Sequence, residues 1–158
     1  MRNDGGSAAV TVVIFMPLLI AMLASVIQLG ALRVLASRIS SAADLATLAA
    51  VDDQDTGALV ATGKLRLSTD AVAIAREFFA ANLTQIMQHL VATPDAAAAE
   101  ADIVAFTDTP ATDLVTGWRY DRPTVRIAAA VPVRVFALGA SFLPSTVTIN
   151  VRAASAAR

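Results

Sequence analysis

An uncharged apolar run near the N-terminus places the strongest limit on how this chain can fold. From Gly5 to Leu32 the sequence has no charged residue and consists mainly of Val, Ile, Leu, Met, Phe and Ala. A bilayer core is spanned by about 20 apolar helical residues, so this run is long enough to cross one. Pro17 lies inside it, and a membrane helix tolerates a proline there. We therefore predict a retained membrane anchor.

A cleaved secretory signal and a buried helix of a soluble protein are the two alternatives for this run. Secretory signals have an apolar core of about 7 to 15 residues followed by a small-residue cleavage site. The run here is much longer, and its end continues directly into more helical sequence. Both alternatives are therefore less favoured than an anchor.

The helical pattern continues past the apolar run. No Gly or Pro lies between Ala31 and Gln54, so nothing in the composition breaks a helix there. The sequence predicts one continuous helix over residues 7–51, which is apolar all round in its first half and on one side only in its second. Apolar residues recur in that second half at steps of three and four, at Leu32, Leu35, Ile39, Ala42, Ala46 and Ala49.

The order of landmarks along this helix resembles the TadE/TadG-like minor pilins, or pseudopilins, of the Tad (Flp) type IV pilus family. Gly6 is followed by small residues, and residues 16–19 (Met-Pro-Leu-Leu) stand at the spacing where the family has Leu-Pro-Leu-Leu. Farther along, residues 28–30 (Gln-Leu-Gly) and 41–50 (SAADLATLAA) resemble the family's glycine and its Asn-Ala-Ala-Asp stretch. The resemblance covers the N-terminal third of the chain.

The resemblance implies a structural role in pilus assembly and assigns roles to three positions. Prepilin peptidase would cleave between Gly6 and Ser7. Thr11 stands where the family has a glutamate, whose carboxylate in pilins is thought to neutralise the N-terminal amine of a neighbouring subunit. Thr11 cannot carry that charge, which departs from the pattern of a processed and repeated filament subunit. Alternatively, Thr11 is simply a small residue tolerated in a membrane helix.

Small residues inside the apolar run predict where this helix contacts others in the membrane. Small side chains let two helix backbones approach closely. The predicted contact residues are Ala21, Ala24, Ser25 and Gly30.

Composition excludes several kinds of site. The chain has no cysteine, which excludes disulfides, thiol catalysis and thiolate metal sites. His89 is the only histidine, so a zinc site cannot be built from these ligands alone. A net charge of −1 gives no electrostatic case for nucleic acid. We predict no catalytic, cofactor-binding or metal-binding residue, and a protein that is not an enzyme.

An acidic cluster follows the predicted helix. Asp52, Asp53 and Asp55 precede Gly57, a pattern typical of a helix end and a solvated loop. The alternative is a calcium site, but the cluster lacks the spacing and the distal glutamate of a calcium loop. The solvated loop is the favoured interpretation, and the cation alternative stays open.

The remaining sequence predicts a second helix and then a sheet. Apolar steps of three and four favour a helix over residues 70–91, and Thr93-Pro94 either ends it or caps a short new one. Short strands are predicted at 102–106 and 118–120. Period-two alternation predicts longer strands near 124–131 and 145–153, with 138–144 as the link before the last one. Pro132 predicts a bulge or an edge position.

The alternation also predicts the faces of one antiparallel sheet. Arg126 and Arg152 belong to the face assigned to water. The buried face would carry Val125, Ile127, Val147, Ile149 and Val151.

The order of elements predicts an α+β fold, and the resemblance implies a pilin-like arrangement in which the long N-terminal helix packs on a small antiparallel sheet. The expected organisation is a short cytoplasmic leader (1–6), the membrane-spanning and amphipathic helix (7–51) and an extracytoplasmic α+β domain (52–158). The expected location is the inner or cytoplasmic membrane or a surface filament.

Expected partners are other pilins, membrane components of the pilus machinery, prepilin peptidase and membrane lipid, without nucleic acid or cofactor. The alternative function is that of a membrane-tethered assembly or envelope factor of pilin-like shape that never enters a filament. An enzyme would need a polar constellation that the sequence lacks.

Overall fold

A single long helix, α1 (Gly5–Asp52), begins the described structure, and the folded domain packs against its C-terminal part. The computed structural model describes residues 5–135 and 145–158, with side chains in α1 described from residue 12 onward. The helix has 48 residues and contains Pro17 without interruption. At a rise of 1.5 Å per residue it is about 72 Å long. The predicted continuous helix over 7–51 is therefore confirmed.

Three further α-helices and a 3-10 helix follow: α2 (Thr56–Thr62), α3 (Ala71–Leu83), the 3-10 helix (Thr84–His89) and α4 (Pro94–Glu100). Thr93 caps α4, because its side chain accepts a hydrogen bond from the Ala96 amide. The short new helix, one of the two outcomes considered for Thr93-Pro94, is the one observed. α2 begins at the end of the acidic stretch interpreted as a loop and was not predicted, because a helix of seven residues is too short to produce a clear period.

The predicted helix over 70–91 is wrong in its second part. The α-helical turns end at Leu83, where the hydroxyl of Thr84 donates to the Ala80 carbonyl at 3.2 Å, and the chain tightens into the 3-10 helix. Tertiary contacts then pull the chain out of helical conformation. Leu90 forms a bridge with Val133, and the amide of Val91 donates to the Pro132 carbonyl at 3.1 Å.

Three antiparallel strands form the main sheet, in the order β1 (Asp102–Phe106), β4 (Thr124–Arg134) and β5 (Thr146–Ala156). A separate hairpin joins β2 (Ala111–Thr112) to β3 (Arg119–Tyr120). The α+β class and the pairing of the two long strands are confirmed. The predicted link at 138–144 lies outside the described residues.

Pro132 occupies an edge position rather than a bulge. β1 pairs with β4 only from Thr124 to Ala128, so on the side away from β5 Pro132 meets only the short bridge at Leu90, where its carbonyl accepts from the Val91 amide. A proline lacks the amide hydrogen that a neighbouring strand would need. β4 therefore runs through Pro132 with its pairing to β5 unbroken, opposite Thr148.

The predicted register is confirmed on the core face. Val125 and Ile127 are fully buried, Val151 is 5% exposed, and Val147 and Ile149 are partly buried against the core. α1 and α3 cover this face. The core joins α1, α3 and the sheet through Ile39, Ala43, Ala46, Phe79, Leu83, Val125, Ile127 and Val131.

The opposite face of the sheet is not wholly in water, which corrects the sequence-based prediction. Arg152 is exposed as expected, but Thr124 and Arg126 are buried. Asp113, which follows β2, lies 3.0 Å from Arg126, because the β2–β3 hairpin covers this end of the sheet. Phe106 on β1 packs against Tyr120 of the hairpin with ring centroids 5.0 Å apart.

Candidate membrane anchor and assembly helix

The N-terminal half of α1 extends away from the folded domain. Its apolar side chains are exposed from Val12 to Leu23, with Val13 at 72% and Leu19 at 63%. Among the described residues, α1 is the one helix long and apolar enough to cross a membrane, and its most apolar stretch has no buried residue. The core helix of a soluble protein would have such residues covered. The bare half of α1 is therefore suited to lipid or to other helices.

The C-terminal half of α1 packs into the domain. Burial begins at Leu35 and then follows the helical period through Ile39, Ala43, Ala46 and Ala50. Alanine at three of these positions lets α1 approach its neighbours closely. Of the stripe predicted from the sequence, Leu35, Ile39, Ala42 and Ala46 are buried, whereas Leu32 and Ala49 are only partly buried. The structure adds Ala43, Ala50 and Thr47, each fully buried. The hydroxyl of Thr47 lies 2.8 Å from that of Ser155 on β5 and bonds the Asp44 carbonyl at 2.9 Å.

The four small residues predicted to contact other membrane helices all lie in the bare half of α1. Ala21, Ser25 and Gly30 are exposed and Ala24 is half-buried. The hydroxyl of Ser25 donates to the Ala21 carbonyl at 2.8 Å, so its polar group is satisfied within its own helix. A Cβ added at Gly30 would meet no atom within 4 Å. Contact with a second helix through these residues stays a prediction.

The positions implied by the family resemblance lie at the start of α1. The backbone is helical from Gly5, so Gly6, Ser7 and Thr11 all belong to the helix. Their side chains lie outside the described part of α1. Cleavage after Gly6 and the consequence of Thr11 at the glutamate position remain predictions.

A family model matches this helix almost end to end. The family is Tad, described as putative Flp pilus-assembly TadE/G-like, and the match covers residues 6–53, against Gly5–Asp52 for α1. Over these residues the helix is similar to the TadE/G-like family. No curated protein and no solved structure shows significant similarity to the chain. This similarity supports a role in Tad pilus assembly, and the exposed apolar half of the helix is suited to a membrane anchor.

The sequence analysis did not predict a buried ion cluster that lies under the β2–β3 hairpin. The guanidinium of Arg126 contacts Asp102 through Nη2 at 2.8 Å and Asp113 through Nε at 3.0 Å. The side chains of Arg126 and Asp113 are 4% and 3% exposed, whereas Asp102 is 54% exposed. The alternation on β4 suggested water around Arg126, because nothing in that alternation indicates that the preceding β2–β3 hairpin covers this face.

Asp113 also organises the hairpin turn. Its carboxylate accepts hydrogen bonds from the Thr116 hydroxyl at 2.7 Å and from the Val115 amide at 2.9 Å. Gly117 completes the turn with a φ of 73°, a left-handed conformation that favours glycine. The Thr116 hydrogen bond lowers the pKa of Asp113 below its usual 3.8; the Val115 bond and the Arg126 charge add to this, and burial opposes it.

In the described part of the chain, several polar side chains make contacts within the fold. No group of three His, Cys, Asp or Glu side chains that could hold a metal ion occurs among them. Within the acidic cluster after α1, Asp55 caps α2, since its carboxylate accepts from the Ala58 amide at 2.9 Å. Arg126 and Asp113 are enclosed by the hairpin and hold it against β4.

Proposed function

We propose that this protein is a minor pilin or pseudopilin of a Tad (Flp) pilus apparatus, a structural subunit that catalyses no reaction. The observation that carries the proposal is the coincidence of the TadE/G-like match at 6–53 with α1. One half of that helix is bare and apolar, and the other half is built into a small α+β domain. A subunit that is stored in a membrane and then associates through its helix needs both halves.

The proposed mechanism has two steps. The bare half of α1 first associates laterally with the apolar helices of other pilins, with Ala21, Ala24, Ser25 and Gly30 at the contacts. The subunit then leaves the bilayer and enters the base or tip of a filament. The N-terminus lies in the cytoplasm and the domain outside it in this arrangement, and prepilin peptidase cleaves between Gly6 and Ser7.

Fractionation of sheared filaments tests the proposal. Cells are sheared, filaments are collected by sedimentation, and the full chain is traced in the filament and membrane fractions. The proposal expects the chain in filaments at a lower amount than the main subunit. A cytoplasmic protein and an integral membrane protein outside the pilus apparatus serve as controls for lysis and for membrane carry-over.

Thr11 favours a second candidate, the membrane-tethered assembly or envelope factor that stays out of filaments. A cleaved subunit has a new amine at Ser7, and a charge deep in lipid costs about 2.5 to 3.5 kcal/mol on the lenient insertion scale. Without a glutamate at position 11, this chain cannot offer a neighbouring subunit the usual carboxylate partner. Exclusive recovery in membranes, with the residues before Ser7 still attached, would support the tethered factor and overturn the pilin proposal.

A further inference from the structure

A groove lies where the bare half of α1 meets the folded domain. It encloses about 530 Å³ between α1, the end of the 3-10 helix and the end of β4. Its apolar walls include Ile27, Ala31 and Leu35 on α1 and Ile86 on the 3-10 helix. The first two lie in the membrane-suited run, while Leu35 is the first buried residue of the packed half. The groove therefore spans the level at which α1 would leave the bilayer.

The polar lining of this groove is basic. Arg38 on α1 and Arg134 at the end of β4 line it together with His89. Arg38 and Arg134 are exposed, and neither forms an ion pair with another described residue. Gln88, whose amide nitrogen lies 3.3 Å from Nε2 of His89, adds hydrogen-bonding capacity.

No aspartate or glutamate is among the described residues that line this groove. The three segments that line it fall within stretches 5–43, 78–94 and 122–158, and none of these contains an aspartate or a glutamate. The chain as a whole has 13 acidic and 12 basic residues, so the absence of acidic residues here is a local feature. Two arginines without acidic neighbours favour an anionic ligand.

We infer that this groove binds an anionic phospholipid of the membrane that α1 crosses, with the phosphate between Arg38 and Arg134 and an acyl chain along Ile27 and Ala31. An anion that also has an apolar chain fits a groove whose lining combines two arginines with the apolar residues Ile27 and Ala31. Basic residues at an anionic membrane surface each contribute about a fivefold gain in binding. The inference rests on α1 being a membrane anchor and not on entry into filaments.

Native mass spectrometry of the delipidated full chain in detergent tests the inference. The protein is titrated with phosphatidylglycerol and, separately, with phosphatidylcholine of the same acyl chains, and an apparent Kd is measured for the first bound lipid. The wild type is expected to prefer phosphatidylglycerol. The double variant R38Q/R134Q is expected to lose about 25-fold in affinity for phosphatidylglycerol and little for phosphatidylcholine. R38K/R134K keeps both charges and should retain most of the preference.

The matched control is R76Q/R152Q, which removes the same charge from two exposed arginines that do not line the groove. It should bind phosphatidylglycerol like the wild type. Equal affinity of the wild type for both lipids, or an equal loss in the two glutamine variants, would overturn the inference. Inorganic phosphate should not displace the bound lipid, and displacement would identify a simple anion site instead. Failure to enter filaments would contradict the proposed function and leave these affinities unchanged.

Discussion

Ile39→Ala should loosen the folded domain from α1. Ile39 is fully buried in the core that joins α1, α3 and the sheet. The substitution removes three carbon atoms, which costs about 2.4 kcal/mol at about 0.8 kcal/mol per buried carbon. A partly collapsed cavity adds about 1 kcal/mol at about 24 cal/mol per Å³. The free energy of unfolding should therefore fall by about 3 kcal/mol.

Pulse proteolysis in urea measures this loss on the full chain in detergent, because it reports the folded fraction without needing α1 to leave the micelle. With an m-value of about 1.5 kcal/mol per molar, the urea midpoint should fall by about 2 M. Leu48→Ala is the matched control, since Leu48 lies on the same helix but is 56% exposed, and it should change stability by less than about 0.5 kcal/mol. Equal midpoints for the two variants would refute the packing of α1 described above.

Three further predictions concern the hairpin, the membrane contact and the N-terminus. The folded pKa of Asp113 lies below its usual value of 3.8, so the contribution of this carboxylate to stability is complete above 3.8 and is lost as the pH falls through the folded pKa. The fluorescence of Trp118 in the hairpin should change as the pH falls through that folded pKa. Asp113→Asn should abolish this pH dependence of the fluorescence. Gly30→Leu should leave the urea midpoint unchanged, because an added Cβ meets no atom within 4 Å, yet reduce crosslinking to other pilins; unchanged crosslinking would place the helix contact elsewhere. Thr11→Glu should increase recovery in sheared filaments relative to Thr11→Gln if the missing carboxylate limits incorporation, and equal recovery would exclude that limit.

The sequence predicted those parts of the fold that depend on local pattern. α1 was predictable because no helix breaker lies between Ala31 and Gln54, and the bounds of β1 at 102–106 agree with the alternation. Four buried residues of α1, Leu35, Ile39, Ala42 and Ala46, follow from the helical period. These features are encoded within neighbouring turns or strands, so one sequence is enough to find them.

The features that could not be predicted from the sequence depend on contacts between segments that are distant along the chain. The burial of Arg126 requires a hairpin that begins only after β1, and the short range from 111 to 120 gives little period to detect. The end of α3 at Leu83 depends on the later bridge from Leu90 to Val133. The basic groove combines residues from three separate segments, so its lining could not be identified from spacing alone.

The continuity of α1 links the groove to the proposed assembly step. α1 has no loop between its bare half and its packed half, and the groove joins residues from both. Any movement of the anchor along the membrane normal must therefore carry Arg38 and Arg134 with it. Extraction into a filament would separate these arginines from the lipid phosphate, so lipid binding and extraction oppose one another. R38Q/R134Q should then enter filaments more readily than R76Q/R152Q, provided that the chain is a filament subunit at all.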